Sequence, residues 1–299
     1  MGLVLLWKPQ GVSSQQHLGQ FKAEHNLPGK GRKGIGHNGT LDPFAEGLLL
    51  VGYGEGLKLI HPLEGLDKTY IAELVFGVPS DSHDSTGALE FELLEEASSK
   101  AAQFNETQLQ KFLESKIGTF DQIPPQFSAK HVDGKRAYDW ARQGVVKELK
   151  PKRVELKLAR HLAFESRKDA EQREFWVWRF EVEVSAGCYI RAFARDWGVE
   201  LLGVEGHLSL LHRVGMGPYS LESGQFRKWL SLEDLEKLFD IKEISSEDVD
   251  VVRNGRPWEQ VSGERAQILL GPEGFAVAWL EAHSSKIKRV FVADPLSAT

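Results

Sequence analysis

The sequence has few of the residues and patterns that mark several common classes of protein. Only one of its 299 residues is a cysteine, Cys188, which excludes an internal disulfide and argues against a cysteine-based zinc site. No stretch approaches the roughly 18 consecutive apolar residues that a membrane-spanning helix needs. The N-terminal segment MGLVLLWKPQG has an apolar run too short for a signal peptide, and no basic region precedes it. These absences predict a cytoplasmic protein that does not cross a membrane.

Motifs for the common cofactors and catalytic groups are missing as well. The glycine-rich segment GKGRKGIGHNG has neither the P-loop nor the dinucleotide-binding spacing. The G-x-S-x-G elbow of hydrolases is absent, and the ten histidines form no HExxH or H-x-H cluster. We therefore expect no cofactor and no metal site, so that an enzyme made from this chain would rely on side-chain chemistry alone.

The net charge of −6 argues against a nucleic-acid partner, but the charge is unevenly distributed. Residues 1–37 contain five Lys or Arg and one acid, and residues 130–153 contain eight Lys or Arg and three acids. Residues 220–299 contain ten Lys or Arg and fourteen acids. Two basic segments can line one groove and attract a polyanion, because the local field rather than the net charge steers binding. Solvated surface charge is an equally good interpretation of these segments by themselves.

Strand and helix patterns are mixed along the chain without regular alternation, which favours an α+β fold over a doubly wound sheet. LVLLWKP is typical of a buried strand stopped by Pro9, and the helix that follows begins at Ser13 or Ser14. Helical spacing also predicts a helix after Asn105, one in YIRAFARDWGVELLG that ends at Gly203, and one from Lys135 to Gln143. From about residue 241, short strands such as AQILLG, GFAVAWLEA and IKRVFVAD predict a small β domain.

An acidic residue, Asp42, lies in the turn-rich segment GHNGTLDPFAEGLLL, which covers residues 36–50. Asn38-Gly39 and Asp42-Pro43 are both turn-forming pairs. Asp42 by itself is explained simply by a turn, or as the cap of a helix that PFAEGLL would begin. Two other residues offer Asp42 a chemical context: Arg191, in the first turn of a predicted helix, and Tyr70, near the start of a predicted strand. Taken alone, Arg191 is explained equally well as a surface residue, and Tyr70 is explained better as a half-buried core residue.

The segments KPQGVSS, GHNGTLDPFAEGLL, DKTYIAELVFG and GCYIRAFARDWG follow one another along the chain. In this order they resemble the motifs of the TruB family of tRNA pseudouridine synthases. GHNGTLDPFAEGLL matches every fixed position of the family pattern G-H-x-G-T-L-D-P-x-A-x-G-x-L, and KPQGVSS matches its N-terminal pattern K-x-x-G-x-[ST]-S. DKTYIAELVFG, GCYIRAFARDWG and GHLSLLHRVGMGPYSL are similar to further motifs of its catalytic domain. QIPPQFSAKHVDGKRAYDWARQG resembles its RNA-binding insertion. Pseudouridine synthases of large-subunit rRNA typically have R-L-D-x-x-T-x-G instead, so the resemblance is specific to the TruB family.

The resemblance implies that uridine is isomerised to pseudouridine at position 55, in the T loop of tRNA. Asp42 would be the catalytic carboxylate, Arg191 would pair with it and keep it ionised, and Tyr70 would stack on the uracil. Leu208 would pack on the other face of the base, and His37 would contact the RNA near the flipped nucleotide. A turn histidine that hydrogen-bonds the loop is the alternative for His37. The isomerisation involves no net redox change or hydrolysis, so the family needs no cofactor.

The resemblance also implies a fold, domain boundaries and an RNA-binding surface. The fold is the pseudouridine synthase catalytic fold, a mixed, mainly antiparallel sheet with flanking helices, over residues 1–240. Residues of about 122–153 form the insertion, and residues 241–299 form a small PUA-like β domain. Gly36 and Gly39 would let the backbone approach RNA closely. The other residues assigned to RNA binding are Lys8 (which has a structural role as its alternative), Lys68, Lys130, Arg136 and Arg142.

We expect a stand-alone monomer that acts on the T stem-loop without an obligatory protein partner. Two rival hypotheses are a guide-RNA-dependent relative that needs protein partners and a chaperone that folds tRNA without catalysis. The sequence departs from the family pattern at Trp7, where members often have Asp, and in a longer basic loop, LPGKGRKGIG. The segment GEGLKLI keeps Lys58 but lacks the usual preceding Thr, and PSDSHDSTG follows its family pattern only loosely, at Asp84 and Gly87.

Overall fold

The computed structural model describes residues 2–27, 34–92, 94–128, 130–254, 256, 258, 264–272, 274, 276–283 and 287–291, with only the backbone described for His131 and Arg136. The chain divides into two compact units. Residues 1–65 together with 218–299 form the first unit, and residues 66–217 form the second. Both units contain helices and mainly antiparallel strands, which confirms the predicted α+β class. No helix within the described ranges is long and apolar enough to cross a membrane.

The N-terminal part of the first unit is built on three antiparallel strands. Its elements are β1 (Gly2–Lys8), α1 (Ser14–Glu24), β2 (Ile35–Asn38) and β3 (Glu46–Tyr53). Strand β3 pairs with both β1 and β2, and two 3₁₀ turns follow it at Gly54–Leu59 and His61–Leu63. Pro9 ends β1, as the sequence predicts, because its backbone has no N–H for the ladder. Ser13 caps α1 by accepting a hydrogen bond from the Gln16 backbone N–H at 3.2 Å.

The second unit is an antiparallel sheet with helices packed against it. Its elements are β4 (Lys68–Val75), α2 (Leu94–Ala101), α3 (Glu106–Ser115), β5 (Gly118–Gln122), β6 (His131–Val132), β7 (Lys135–Arg136), α4 (Ala137–Ala141), β8 (Lys152–Lys168), β9 (Glu174–Val184), α5 (Ile190–Leu202) and β10 (His207–Met216). The sheet order is β10-β4-β9-β8-β5. Strands β6 and β7 form a separate short hairpin.

Aromatic side chains fill the core of the second unit. Trp178 and Phe180 alternate with polar residues along β9 and are fully buried. Trp197 of α5 packs on Phe180 with a ring-centroid separation of 5.1 Å, and it stacks on Phe193 at 4.3 Å. Helix α5 ends at Gly203, whose φ of 79° lies in the left-handed region that favours glycine. The candidate residue Arg191 lies in the first turn of this helix, so the aromatic core fixes the element that carries it.

The C-terminal part of the first unit contains the predicted small β structure. Its elements are β11 (Tyr219–Ser220), β12 (Arg227–Trp229), α6 (Leu232–Glu236), β13 (Asp240–Glu243), α7 (Ser246–Arg253), β14 (Gln267–Leu270), β15 (Ala276–Leu280) and β16 (Ile287–Val290). Strands β13 to β16 form a four-stranded sheet in sequence order, and β13 and β14 are parallel. Lys58 connects this sheet to the first 3₁₀ turn. Its Nζ donates to the Val290 carbonyl at 2.9 Å, and its carbonyl accepts from Trp279 Nε1 at 3.1 Å.

In the second unit, one predicted helix is shorter than expected, and one long strand was not predicted. The helix predicted from Lys135 to Gln143 is shorter, because Lys135 and Arg136 form a hairpin strand around a two-residue turn at Asp133 and Gly134. Both turn residues have positive φ, 50° and 77°, as such hairpin turns require. The long strand β8 was not predicted. The alternation of buried and exposed side chains along β8 is interrupted by two register shifts. These shifts obscure the two-residue period by which a strand is recognised in a sequence.

Candidate active site

Asp42 lies in the turn that joins β2 to β3. Gly39 has φ of 79°, a conformation that an L side chain rarely adopts. The Ala45 backbone N–H donates to the Asp42 carbonyl at 3.1 Å, and the Asp42 side chain is half-buried. The apolar run that follows forms β3 from Glu46 onward, so the alternative in which Asp42 caps a helix is wrong. The segment is a turn that leads into a strand.

The residues on either side of Asp42 are held by the N-terminal segment KPQGVSS. Ser14 Oγ donates to the Leu41 carbonyl at 3.0 Å and lies 2.9 Å from the Leu41 nitrogen, and both residues are buried. The Gly11 backbone N–H donates to the Pro43 carbonyl at 2.8 Å. Asp42 is thus fixed from both sides by residues about thirty positions earlier in the chain.

Lys8 stabilises the loop that makes these contacts. Its side chain is fully buried, and Nζ donates to the carbonyls of Pro9 and Val12, each at 2.8 Å. A buried ammonium needs such acceptors because desolvation is otherwise costly. The position of Lys8 favours the structural alternative for this residue over a direct contact with RNA.

His37 and Gly36 lie in β2, just before the turn. His37 is half-buried opposite Val51 of β3, so it belongs to a strand rather than to a turn. A Cβ atom on Gly36 would lie 2.9 Å from the side chain of Leu57. Close packing of β2 on the 3₁₀ turn after β3 therefore explains why a glycine occupies position 36 without any contact to RNA.

In the second unit, the predicted site residues Lys68, Tyr70 and Leu208 lie on the neighbouring strands β4 and β10. Tyr70 is 8% exposed and pairs across the ladder with Arg213 of β10. Lys68 shares a face of β4 with Tyr70, because side chains alternate along a strand. Its Nζ donates to the Leu66 carbonyl at 2.5 Å. Leu208 is buried near the start of β10.

Arg191 lies in the first turn of α5 and is 4% exposed. Its Nη1 donates to the Ser82 carbonyl at 2.7 Å and lies 3.3 Å from Oδ2 of Asp84. Its Nη2 donates to the Phe127 carbonyl at 2.6 Å. The surface-residue alternative for Arg191 is therefore wrong. The guanidinium is a buried cation held by two carbonyls and a carboxylate.

Asp84 is a further candidate site residue, because it contacts Arg191, and the sequence alone did not assign it. It is buried, and Oδ1 accepts hydrogen bonds from Ser82 Oγ at 2.9 Å and from the backbone N–H and Oγ1 of Thr86 at 2.9 and 2.5 Å. A Cβ atom on Gly87 would lie 2.1 Å from Asp81 Oδ1 and 2.5 Å from Ser82 Oγ, so the polar side chains of the loop pack closely around this glycine. The signal in the sequence was the loose match of PSDSHDSTG, whose two retained residues are Asp84 and Gly87.

The insertion is held together by contacts between cations and aromatic rings. The Nζ atoms of Lys135 and Lys147 lie 4.6 and 4.4 Å from the ring centre of Trp140. The guanidinium of Arg142 lies 4.5 Å from the ring centre of Tyr138, and Arg142 is exposed. The insertion therefore presents cations together with aromatic faces, a combination that suits nucleic acid.

Of the remaining residues predicted to contact RNA, Lys130 is described with its side chain, and the others lie partly or wholly outside the described residues. Lys130 is half-buried, and its Nζ donates to the Lys150 carbonyl at 2.6 Å. Arg136 lies in β7, and its side chain is outside the described part of the chain. The basic residues of the loop LPGKGRKGIG, Lys30, Arg32 and Lys33, also lie outside the described residues. Among the described residues, no group of three His, Cys, Asp or Glu side chains is arranged to hold a metal ion.

Comparison with known proteins identifies the family. The model of the N-terminal domain of TruB family pseudouridylate synthases matches residues 29–190, more than half of the chain. The chain belongs to the TruB family. A tRNA pseudouridine synthase B from Bordetella pertussis is 35% identical over 242 residues, which are 81% of this chain and 89% of the relative. A protein of the same name from Psychrobacter arcticus is 34% identical over 237 residues, 79% of this chain but 57% of the relative.

A solved structure shows the same fold. A chain in the crystal structure of a Cbf5–Nop10–Gar1 complex aligns with a TM-score of 0.63 over 99% of this chain and 86% of its own length, at 19% identity. The resemblance found in the sequence, the fold class and the assignment as a pseudouridine synthase are therefore confirmed.

Proposed function

We propose that this TruB family enzyme isomerises uridine to pseudouridine at position 55, in the T loop of tRNA, as a stand-alone monomer. The observation that carries the proposal is the 35% identity to a tRNA pseudouridine synthase B over 89% of that protein. The Cbf5-containing neighbour comes from a complex with protein partners, but at 19% identity it supports only a common fold. A tRNA-folding chaperone and a guide-RNA-dependent synthase are the alternatives that the experiment below separates.

In the proposed reaction, the C1′–N1 bond of uridine breaks, the uracil rotates, and a C1′–C5 bond forms. The proton at C5 is released and N1 takes up a proton, so atoms and electrons balance without a co-reactant. The target nucleotide is flipped out of the RNA, at an expected cost of a few kcal/mol that stacking in the site offsets. Asp42 acts on the flipped nucleotide through its carboxylate, which reacts only when ionised.

The other site residues support that carboxylate and the base. Arg191 pairs with the Asp42 carboxylate in this proposal, and Tyr70 stacks on the uracil and assists removal of the C5 proton. Leu208 packs on the opposite face of the base, and His37 contacts the adjacent RNA. The fixed Asp42 turn favours this proposal, because a preformed position lowers the cost of reaching the reactive geometry.

The basic residues of the insertion and of β4 bind phosphates of the T stem-loop in this proposal. Lys68, Lys130, Arg136 and Arg142 are the candidates. Each phosphate contact releases condensed counterions, so the affinity for RNA falls steeply as the salt concentration rises.

The proposal is tested with purified protein and a synthetic, unmodified T stem-loop RNA that carries tritium at C5 of uridine. Wild-type protein alone is expected to release tritium and form pseudouridine, and Asp42→Asn is expected to form none. Asp81→Asn, an exposed aspartate of the second unit, is the matched control. Full activity of Asp42→Asn would refute the catalytic assignment. A wild-type protein that remodels tRNA without forming pseudouridine supports the chaperone, and a requirement for guide RNA and partners supports the guide-dependent alternative.

A further inference from the structure

His83, which directly precedes Asp84 in its loop, contacts the carboxylate of Glu205. His83 Nε2 lies 3.3 Å from Glu205 Oε2, with the histidine side chain 11% exposed and the glutamate side chain 40% exposed. The hydrogen bond from His83 is the main reason that the pKa of Glu205 lies below its ordinary value. Among the described residues, the buried Nδ1 of His83 has no hydrogen-bond partner. The ring is therefore oriented by Glu205 through Nε2.

The backbone of His83 has a conformation that needs support. Its φ of 57° lies in the left-handed region, which a histidine adopts only when its surroundings impose it. The loop is attached to β10 by two hydrogen bonds, from Leu208 N to the His83 carbonyl at 3.1 Å and from Ser85 N to the Leu208 carbonyl at 3.0 Å. His83 thus lies between two groups of the candidate site, since Asp84 follows it directly and Leu208 pairs with it.

The other partner, Glu205, comes from a closely packed turn between α5 and β10. The Gly206 backbone N–H donates to the Ala194 carbonyl at 3.2 Å. A Cβ atom on Gly206 would lie 2.4 Å from the Val75 carbonyl oxygen, and one on Gly198 would lie 2.7 Å from the Gly206 nitrogen. The turn is therefore fixed against α5 and β4, and Glu205 is a stationary anchor for the histidine.

We infer that His83 and Glu205 are positioning residues that hold the Asp84 carboxylate in place and, through Asp84, orient Arg191. The inference rests on the proposed function, because it concerns the role of Arg191 in forming pseudouridine. Neither residue of the pair needs to touch RNA. Without the pair, the left-handed residue loses its side-chain anchor, and the next residue, Asp84, is expected to move away from the guanidinium part of the time.

The test measures single-turnover pseudouridine formation and RNA affinity separately. Glu205→Gln keeps the size of the side chain, and His83→Asn keeps a residue that tolerates the left-handed conformation. Both single variants are expected to lower the single-turnover rate constant about threefold to fivefold. The dissociation constant for RNA should stay within about twofold of the wild-type value. The double variant should be no slower than the slower single variant, because both substitutions weaken the same interaction between residues 83 and 205. Glu200→Gln, which breaks the exposed ion pair of α5 with Lys116, is the control and should keep the wild-type rate.

The decisive measurement repeats Glu205→Gln in the Asp84→Asn background. If the pair acts through Asp84, Glu205→Gln should have no further effect there. An equal loss in both backgrounds, a wild-type rate for Glu205→Gln, or a loss confined to RNA affinity would each overturn the inference. A lower melting temperature with an unchanged rate would show a merely structural role and would also overturn it. Because the Glu205 side chain is 40% exposed, Glu205→Gln is expected to fold. It therefore tests the inference even if His83→Asn does not fold. If the wild-type protein forms no pseudouridine in the T stem-loop RNA, the proposed function itself is wrong.

Discussion

The guanidinium of Arg191 and the carboxylate of Asp84 lie 3.3 Å apart, and their side chains are only 4% and 5% exposed. Charges removed from water to this extent depend on each other, because each would be costly to bury alone. The arginine also donates to the Ser82 and Phe127 carbonyls, so three groups of the second unit contribute to its position. The loop that carries Asp84 is thus part of the support of the candidate active site.

Asp84→Asn is expected to slow pseudouridine formation about tenfold or more, because the buried guanidinium loses the negative charge of one of its partners. The amide oxygen can still accept the hydrogen bonds from Ser82 and Thr86, so the loop should keep its fold. The measurement is the single-turnover rate on the T stem-loop, with Asp81→Asn of the same loop as the control. Equal rates for the two variants would show that the charge of Asp84 has no part in the reaction.

Arg191→Lys is expected to reduce turnover while RNA binding is retained. Lysine keeps the charge, but its single nitrogen cannot reach Ser82, Asp84 and Phe127 in the way that the planar fork of arginine does. Dissociation constants from fluorescence anisotropy and single-turnover rates separate the two effects. Arg195→Lys, one turn later in α5 and paired with Asp196, is the matched control. A parallel loss of affinity and rate would instead assign Arg191 to RNA binding.

The sequence predicted the Asp42 segment and most elements well because their signals are local. Turn pairs, a helix cap at Ser13 and the stop at Gly203 each depend on a few adjacent residues. Asp84 was not assigned because its importance comes from Arg191, which lies more than one hundred positions later. Gly36 was assigned to RNA contact, whereas its neighbour is Leu57, in a 3₁₀ turn that the sequence did not predict. Contacts between distant segments therefore account for what the sequence did not show.

Glu73→Gln is expected to destabilise the protein at neutral pH by about 1–2 kcal/mol, because a buried carboxylate loses charge-assisted hydrogen bonds to two arginines that are themselves partly exposed. Burial raises the pKa of Glu73, but hydrogen bonds from Arg167, Ser209 and Arg179 outweigh it and hold the pKa below its ordinary value. The stability from the ionised carboxylate is present above the unfolded-state pKa, about 4.3, and is lost as the pH falls through the lower folded-state pKa. The difference from wild type should therefore shrink below a pH of about 4.

Urea unfolding at a series of pH values measures this difference, and Glu174→Gln on the exposed part of β9 is the control. A difference that does not change with pH would contradict the role given to the charge of Glu73.

Arg142→Ala is expected to weaken RNA binding and to lower the slope of log affinity against log salt by about one, the value for one phosphate contact. The reason is its exposed guanidinium, which stacks on Tyr138 at the surface of the insertion. Arg173→Ala removes a similar guanidinium that stacks on Phe91 outside the insertion, and it should leave the slope unchanged. Identical slopes for wild type and Arg142→Ala would remove Arg142 from the RNA contacts.

Gly39→Ala and Gly19→Ala are expected to have opposite effects. At Gly39 the φ of 79° makes an alanine strained, which should cost about 1–2 kcal/mol of stability. The strain falls on the turn that presents Asp42, so the single-turnover rate should decrease as well. At Gly19, in the interior of α1, a Cβ atom would meet nothing within 4 Å, so alanine should stabilise the protein by about 1 kcal/mol.

Chemical denaturation of both variants checks the predicted loss of stability for Gly39→Ala and the predicted gain for Gly19→Ala. Single-turnover rates check the predicted loss of activity for Gly39→Ala. A Gly39→Ala variant with wild-type stability and rate would mean that the turn relaxes without moving Asp42. In that case the fixed turn between β2 and β3 would not be what sets the position of the carboxylate, and the contacts of Leu41 with Ser14 and of Pro43 with Gly11 would carry that role.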